Sequence, residues 1–307
     1  MSLRRTSYQK TLKRKISLKG VGLHAGGKVH CTLHPAPADH GIVFLRSDLH
    51  SKARIRADVS KVVRTDLSTT LGSHGAIVAT VEHLMAALRG MGVDNVLVEL
   101  DAAEVPIMDG SSREFAEAIA DSGLRDLGVT RKVIRLKRKV SVRAGEKYVV
   151  AHPDNKLSVK GSISFGHKMI GEQIFRYTDE KSFLNELASA RTFGFLREVE
   201  YMHQKGLALG GSLENAIVLD EERVLNPEGL RFKNEFVRHK ILDAVGDFGL
   251  FGLPVQAEIE IHKAGHELHA AFVRKVLEDQ ANFEIIELAS GRSSEELVEQ
   301  PLLAHAY

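Results

Sequence analysis

Cysteine, tryptophan and long apolar runs are what this 307-residue chain lacks. Cys31 is its single cysteine, so no disulfide can form within the chain and a four-thiolate zinc site is ruled out. Any zinc must be held by histidine and carboxylate. There is no tryptophan, and aromatics make up 6% of the residues, which leaves little for stacking nucleic-acid bases. An excess of one charge is missing too. At a net charge of +2, no overall field draws the chain to nucleic acid or to an anionic membrane. No apolar run approaches the ~20 residues that span a bilayer, and the N-terminus carries no apolar signal core. The expectation is a cytoplasmic protein with no membrane span and no nucleic-acid partner.

What is present suits a globular protein with a real core: 43% of residues are hydrophobic and 27% charged. The length predicts two domains. Alternating stretches such as "VHCTLHPA", "GIVFLRSD" and "NVLVELD" predict strands in the first half, with helices over "TVEHLMAALRG", starting at Thr80, and "SSREFAEAIADS", ended by Gly123. Periodicity lapses around "SGLRDLGVTRK", where a linker is expected. The second half repeats the pattern: strands over "VIRLKRKVSVR", "KLSVKGSISF" and "VQAEIEIH", helices over "EKSFLNELASA", 235–249 and "GHELHAAFVRKVLED". Basic residues at the start ("RRTSYQKTLKRK") and at 131–143 alternate with apolar ones, as on half-exposed strands. The overall pattern is α+β, sheets covered by helices, with residues 1–126 as one domain and 127–307 as the other. Glycine-rich, mixed residues at about 196–225 read as an insert.

The stretch "FVRHKILDAVGDFG" places His239, Asp243 and Asp247 at four-residue intervals on one helix face, opposite Val237, Ile241, Val245 and Phe248. Taken alone, such a face reads either as solvated or as metal-binding, since imidazole and carboxylate at i and i+4 can aim at one ion. A further ligand is offered by His83. It lies off the stripe of Val81, Leu84, Met85 and Leu88, beside small alanines. His83, His239 and Asp243 together would leave a fourth position open for water, as at a catalytic zinc. Glu82 would then be placed to take a proton from that water, although a Glu in the first helical turn is also ordinary helix chemistry. His266 sits at a helix start, whose positive end disfavours its protonated form; Asp247 could oppose this by accepting a hydrogen bond.

In these stretches the chain resembles the zinc-dependent UDP-3-O-acyl-N-acetylglucosamine deacetylases, which commit bacteria to lipid A synthesis. The matches are "GVGLHAGGKV" (20–29), "TVEHLMAAL" (80–88), "VPIMDGSS" (105–112), "ARTFGFLREVEY" (190–201), "GLALGGSLENAIV" (206–218), "GLRFKNEFVRHKILDAVGD" (229–247) and "KAGHELH" (263–269). The resemblance implies two similarly built domains, each a mostly antiparallel sheet packed on helices, with the active site at their interface. It implies zinc, or Fe(II), on His83, His239 and Asp243, Glu82 as general base, and His266 as general acid partnered by Asp247. It adds the Thr192 hydroxyl as an oxyanion partner, and places Lys240 on the sugar or diphosphate. Leu23 and His24 would lie near the substrate. The insert would form a passage for the 3-O-acyl chain, and Phe193, Leu196, Gly211, Ser212 and Val218 would be among the substrate contacts. Phe165 matches an aromatic near the uridine, though Ser164 stands where the family often has Asp. The implied partner is a UDP-linked acylated amino sugar. The implied protein is a monomer of an outer-membrane-bearing bacterium, at most in transient contact with a membrane surface.

Two other readings compete. A different zinc amidase could share the two-His, one-Asp set but would have no need of the insert. An RNA-binding module could use the basic strands, but these are rich in Val and Ile rather than in aromatics.

Overall fold

In a computed structural model of the chain, residues 7–179 and 181–288 are described. The first residues of the basic N-terminal stretch, Glu180 of one predicted helix and the tail from 289 onward lie outside them. The N-terminal half contains β1 (Tyr8–Leu12), β2 (Ile16–Val21), β3 (Lys28–Pro35), β4 (Ile42–Arg46), β5 (Ala53–Arg56), β6 (Val62–Arg64), β7 (Thr70–Ser73) and β8 (Ala76–Val78). Then come α1 (Glu82–Gly90), β9 (Val96–Leu100), α2 (Arg113–Ser122) and β10 (Leu124–Thr130). Five strands form one sheet in the order β2-β3-β9-β4-β5, antiparallel except where β4 meets β9; β6, β7 and β8 form a small antiparallel sheet beside it.

The C-terminal half contains β11 (Lys132–Leu136), β12 (Val140–Ala144), β13 (Lys147–Pro153), β14 (Leu157–Ser164), β15 (Glu172–Thr178), α3 (Phe183–Glu186) and β16 (Phe193–Phe195). It continues with α4 (Leu196–Gln204), β17 (Ile217–Leu219), α5 (Glu235–Phe248), β18 (Val255–His262), α6 (His266–Leu277) and β19 (Phe283–Glu287). Its seven-stranded sheet is organised on β18, which pairs antiparallel with β13 and parallel with β14 and, at its start, with β11. The α+β class with mostly antiparallel sheets is thus as expected. Side chains alternate as the pleat requires: β4 and β9 bury every second residue, and β18 does so over its second half. Among the described residues, no helix is long and apolar enough to cross a membrane.

Several expectations are corrected. The expected linker is largely strand β10, which pairs antiparallel with β1; its outward residues are mostly exposed, so its alternation is faint without the partner. The stretch "VIRLKRKVSVR" is two strands, β11 and β12, that belong to different ladders. The helix over "EKSFLNELASA" shrinks to the single turn α3, opened by the Ser182 side chain accepting from Asn185 N–H. Helix α1 begins at Glu82 rather than Thr80, because Thr80 has φ +56 and its hydroxyl donates to Glu104 Oε1 at 3.0 Å. A left-handed β-branched residue is strained and persists only where neighbours hold it.

Two helices join the halves. From Glu82 to Leu88 every residue of α1 is buried, and α5 is buried on almost every side. The polar face of α5 is therefore not solvated: it faces α1. The stripe of Val237, Ile241, Val245 and Phe248 packs into the core, with Ile241 and Val237 over Gly161 of β14. The helices touch backbone to backbone at Gly246, where an added Cβ would collide with the Glu82 carbonyl oxygen and carbon.

Gly246→Ala is expected to destabilise the protein by roughly 1–3 kcal/mol, the usual range for overpacking. By helix propensity alone the change should stabilise by about 1 kcal/mol, so the sign of the shift in a denaturant midpoint decides between them. A raised midpoint would show that the two helices have slack.

Candidate metal centre and its flanking acid–base groups

At the crossing of α1 and α5, His83, His239 and Asp243 come together, all buried. Nε2 of His83 and Nε2 of His239 lie 3.5 and 3.3 Å from the same atom, Asp243 Oδ1. That oxygen is buried and has no hydrogen-bond partner. These separations are long for a hydrogen bond. They match ligands sharing one tetrahedral ion, since atoms at the usual zinc–ligand distances of 2.0–2.2 Å lie about 3.4 Å apart. His239 Nδ1 is 3.0 Å from the Ala190 carbonyl, which can only accept, so the proton sits on Nδ1 and the Nε2 lone pair faces Asp243. Burial pushes the His239 imidazole down to about 3, keeping it neutral. Burial alone would raise Asp243, but His239 and Lys240 outweigh it and hold its carboxyl well below the usual range. The donor set therefore fits a divalent cation.

Lys240 lies off the line of the two ligands, yet one helical turn is short enough for its Nζ to reach Asp243 Oδ2 at 3.0 Å while passing over the Phe193 ring. Expected only as a sugar or diphosphate contact, it is thus also the counter-charge of the second carboxylate oxygen.

Glu82 and His266 stand beside this set. Glu82 Oε1 is 3.8 Å from His266 Nε2, and Oε2 accepts from Thr69 N–H at 3.0 Å. Burial raises the Glu82 carboxyl above its ordinary value, only partly offset by His266 and His83. Asp247 Oδ2 takes His266 Nδ1 at 2.8 Å. Burial would lower His266, but Asp247 and Glu82 reverse this and raise it to about 9. The positive helix end expected to keep His266 neutral is outweighed. His269 lies three residues beyond His266 on α6, a spacing that puts the two on one helix face. Fully buried, it also reaches Asp247 Oδ2, at 2.9 Å.

The segment from 190 to 192 is held by a buried ion pair that sequence reasoning missed. Arg191 is 1% exposed and Glu235 is fully buried; Arg191 gives both its backbone N–H and its guanidinium to Glu235 and further bonds Glu228 and the Gly229 carbonyl. This clamp sets the Ala190 carbonyl that orients His239. It also sets Thr192, which lies in a loop and whose backbone bonds Gly110 and Ile217.

Leu23 and His24 sit on a loop pinned by buried Glu104, which accepts from the backbone N–H groups of His24 and Ala25. Both ring nitrogens of His24 are buried without partners. The loop docks on the insert: Gly210 N–H donates to the Leu23 carbonyl at 2.9 Å, and the Leu23 side chain lies against Gly211. Ser212 caps the turn before Val218, which lies on β17 paired with β16. Phe193 packs edge-on against Phe165 and faces His239 at 6.4 Å between ring centroids. Helix α4 buries nothing, and Leu196, Tyr201, Leu207, Leu209 and Leu213 of the insert are exposed.

A buried donor set that fits a divalent cation, flanked by a carboxylate and a raised His–Asp pair, is the equipment of a metal-dependent hydrolase. Comparison with known proteins makes the class specific. A family described as UDP-3-O-acyl N-acetylglycosamine deacetylase matches residues 9–278. The chain is 51% identical over 286 residues to the UDP-3-O-acyl-N-acetylglucosamine deacetylase of Myxococcus xanthus, covering 92% of this chain and 91% of that protein. It is 45% identical over 277 residues to the enzyme of that name from Syntrophus aciditrophicus (90% and 88%) and 48% identical over 303 residues to that of Xanthomonas campestris (98% of each). The chain belongs to the UDP-3-O-acyl N-acetylglycosamine deacetylase family, metal-dependent hydrolases of an amide.

Removing one charge of the 191–235 clamp should be severe. Glu235→Ala leaves a buried guanidinium half-paired, and a loss of about 3–5 kcal/mol is expected in denaturant unfolding. A change under about 1 kcal/mol, the scale of a surface pair, would show that the pair is not the clamp described.

Proposed function

We propose that this chain removes the N-acetyl group of UDP-3-O-acyl-N-acetylglucosamine, the deacetylation step of lipid A biosynthesis, with His83, His239 and Asp243 holding one divalent metal. Zinc suits two imidazoles and a carboxylate, and Fe(II) can occupy the same donors. The observation that carries the reading is the approach of two Nε2 atoms to one unpartnered carboxylate oxygen. When bound, the metal supplies Lewis-acid polarisation of the acetamide carbonyl and a water acidified to about pKa 7.

The chain's own groups do the rest. Glu82, buried and raised, accepts the proton of the attacking water as the C–O bond forms. The Thr192 hydroxyl donates to the oxyanion. Collapse breaks the C–N bond, and His266 Nε2 passes its proton to the leaving nitrogen, giving acetate and a free amine. Asp247 holds the imidazolium through Nδ1. Lys240 keeps the second Asp243 oxygen engaged and reaches toward the sugar or diphosphate. The exposed apolar side chains of the insert, with Leu23 and Gly211 at its docking loop, support a passage for the acyl chain. Phe165, packed edge-on against Phe193, supports an aromatic contact on the nucleotide side. A nucleotide-linked substrate supports a cytoplasmic location for the reaction.

His83→Ala and Asp243→Ala should lower bound metal and abolish most deacetylation, read by metal analysis and acetate release. Glu82→Ala should retain the metal and lose activity on the order of 10²–10⁴-fold, the worth of a positioned base. Full metal occupancy in the first pair, or near wild-type turnover in the third, would overturn these roles.

The pH–rate profile should be bell-shaped. The rate rises as Glu82 loses its proton, above the ordinary carboxylate range, and falls as His266 loses its own at about 9. A divalent cation nearby favours neutral imidazole, so the basic limb should lie at or below that value. His266→Ala should retain the metal and erase that limb; an unchanged limb would remove His266 from the mechanism.

A further inference from the structure

Thr69 takes no part in the chemistry just described, yet it touches both sides of it. It is 1% exposed and directly precedes β7. Its N–H donates to Glu82 Oε2 at 3.0 Å, and its carbonyl accepts from Val81 N–H at 3.2 Å, where α1 begins. Its hydroxyl lies 2.6 Å from Asp247 Oδ1. An ionised carboxylate can only accept, so the single hydroxyl proton points to Asp247. Hydrogen bonds of this kind, onto a charged acceptor, are among the stronger ones in proteins.

These contacts decide which atoms are left for chemistry. With Oε2 of Glu82 engaged by the Thr69 amide, Oε1 is the oxygen facing His266 Nε2. With Oδ1 of Asp247 engaged by the Thr69 hydroxyl, Oδ2 is the oxygen facing His266, and His269 braces that oxygen from the other side. One residue thus spans the carboxylate on α1 and the carboxylate on α5.

We infer that Thr69 is a positioning residue: its amide orients Glu82 and its hydroxyl orients Asp247, and through Asp247 the His266 imidazole. The inference rests on the roles proposed above for Glu82 and His266. It does not make Thr69 a ligand or a proton carrier. The hydroxyl is the separable part, because Thr69→Val removes it and keeps both the amide and the shape of the side chain.

The test uses the metal-loaded full chain and the acylated UDP-sugar. Thr69→Val should lower kcat about 10- to 100-fold, as expected for losing a hydrogen bond to a charged group, with KM and metal content within about twofold. Thr69→Ser, which restores the hydroxyl, should return kcat to within about threefold of wild type. In a His266→Ala background, Thr69→Val should add less than about threefold, because the group it positions is gone. A kcat near wild type for Thr69→Val, a Ser variant as slow as the Val variant, or the full loss persisting without His266 would each overturn the inference. If circular dichroism shows that Thr69→Val does not fold, Thr69→Ala replaces it under the same criteria. Active Glu82→Ala and His266→Ala enzymes would instead sink the roles on which the inference rests; slow ones beside an unimpaired Thr69→Val would sink the inference alone.

Discussion

The contact of α1 with α5 at Gly246 is the constraint on which the rest of the site depends. Without a side chain there, the two backbones close until the Glu82 carbonyl rests on α5. That approach buries Glu82, His83, His239, Asp243 and Asp247 together. Burying a charge without a partner is among the most unfavourable acts in folding. The side chains therefore had to be arranged as complementary pairs, and each pair leaves a defined atom free. A site of this kind is made by helix packing first and by side-chain chemistry second.

Three carboxylates share this space and differ in behaviour because their neighbours differ. Asp243 and Asp247 are held below the usual range, the first by His239 and Lys240, the second, at about 2, by His266 and His269, in each case against the upward push of burial. Glu82 has the same burial but weaker compensation, and it rises. Anions that must stay ionised to hold a cation or an imidazolium are thus separated from one that can take up a proton. Environment, not residue type, divides the roles.

The second layer is as ordered as the first. The Arg191–Glu235 pair ties the start of α5 to the loop entering β16, and the Ala190 carbonyl of that loop fixes the tautomer of His239. Glu104 ties the loop of Leu23 and His24 to Thr80, the strained residue that precedes α1. Both devices are buried carboxylates binding backbone N–H groups, and both pass from a loop to a helix that carries site residues. Within the insert, by contrast, helix α4 has no buried residue, whereas β17 is buried throughout.

Much of this was legible in the residues alone. The period of α5 put His239, Asp243 and Asp247 on one face, the stripe of α1 excluded His83 from the core, and alternation marked most of the strands, because each of these is a property of one element and its own neighbours. Apart from the pairing of His83 with the His239–Asp243 face, what depended on two elements meeting was not legible. The strand character of β10 rests on pairing with β1. The second histidine on Asp247, the clamp at Arg191 and the bridging place of Thr69 are hydrogen bonds between different elements of the chain. The sequence by itself determined which side chains could share a face and which chemistry they could support. Only the tertiary structure decided which atom of each carboxylate is occupied and which is free, since that is set by the direction from which a distant backbone or hydroxyl arrives.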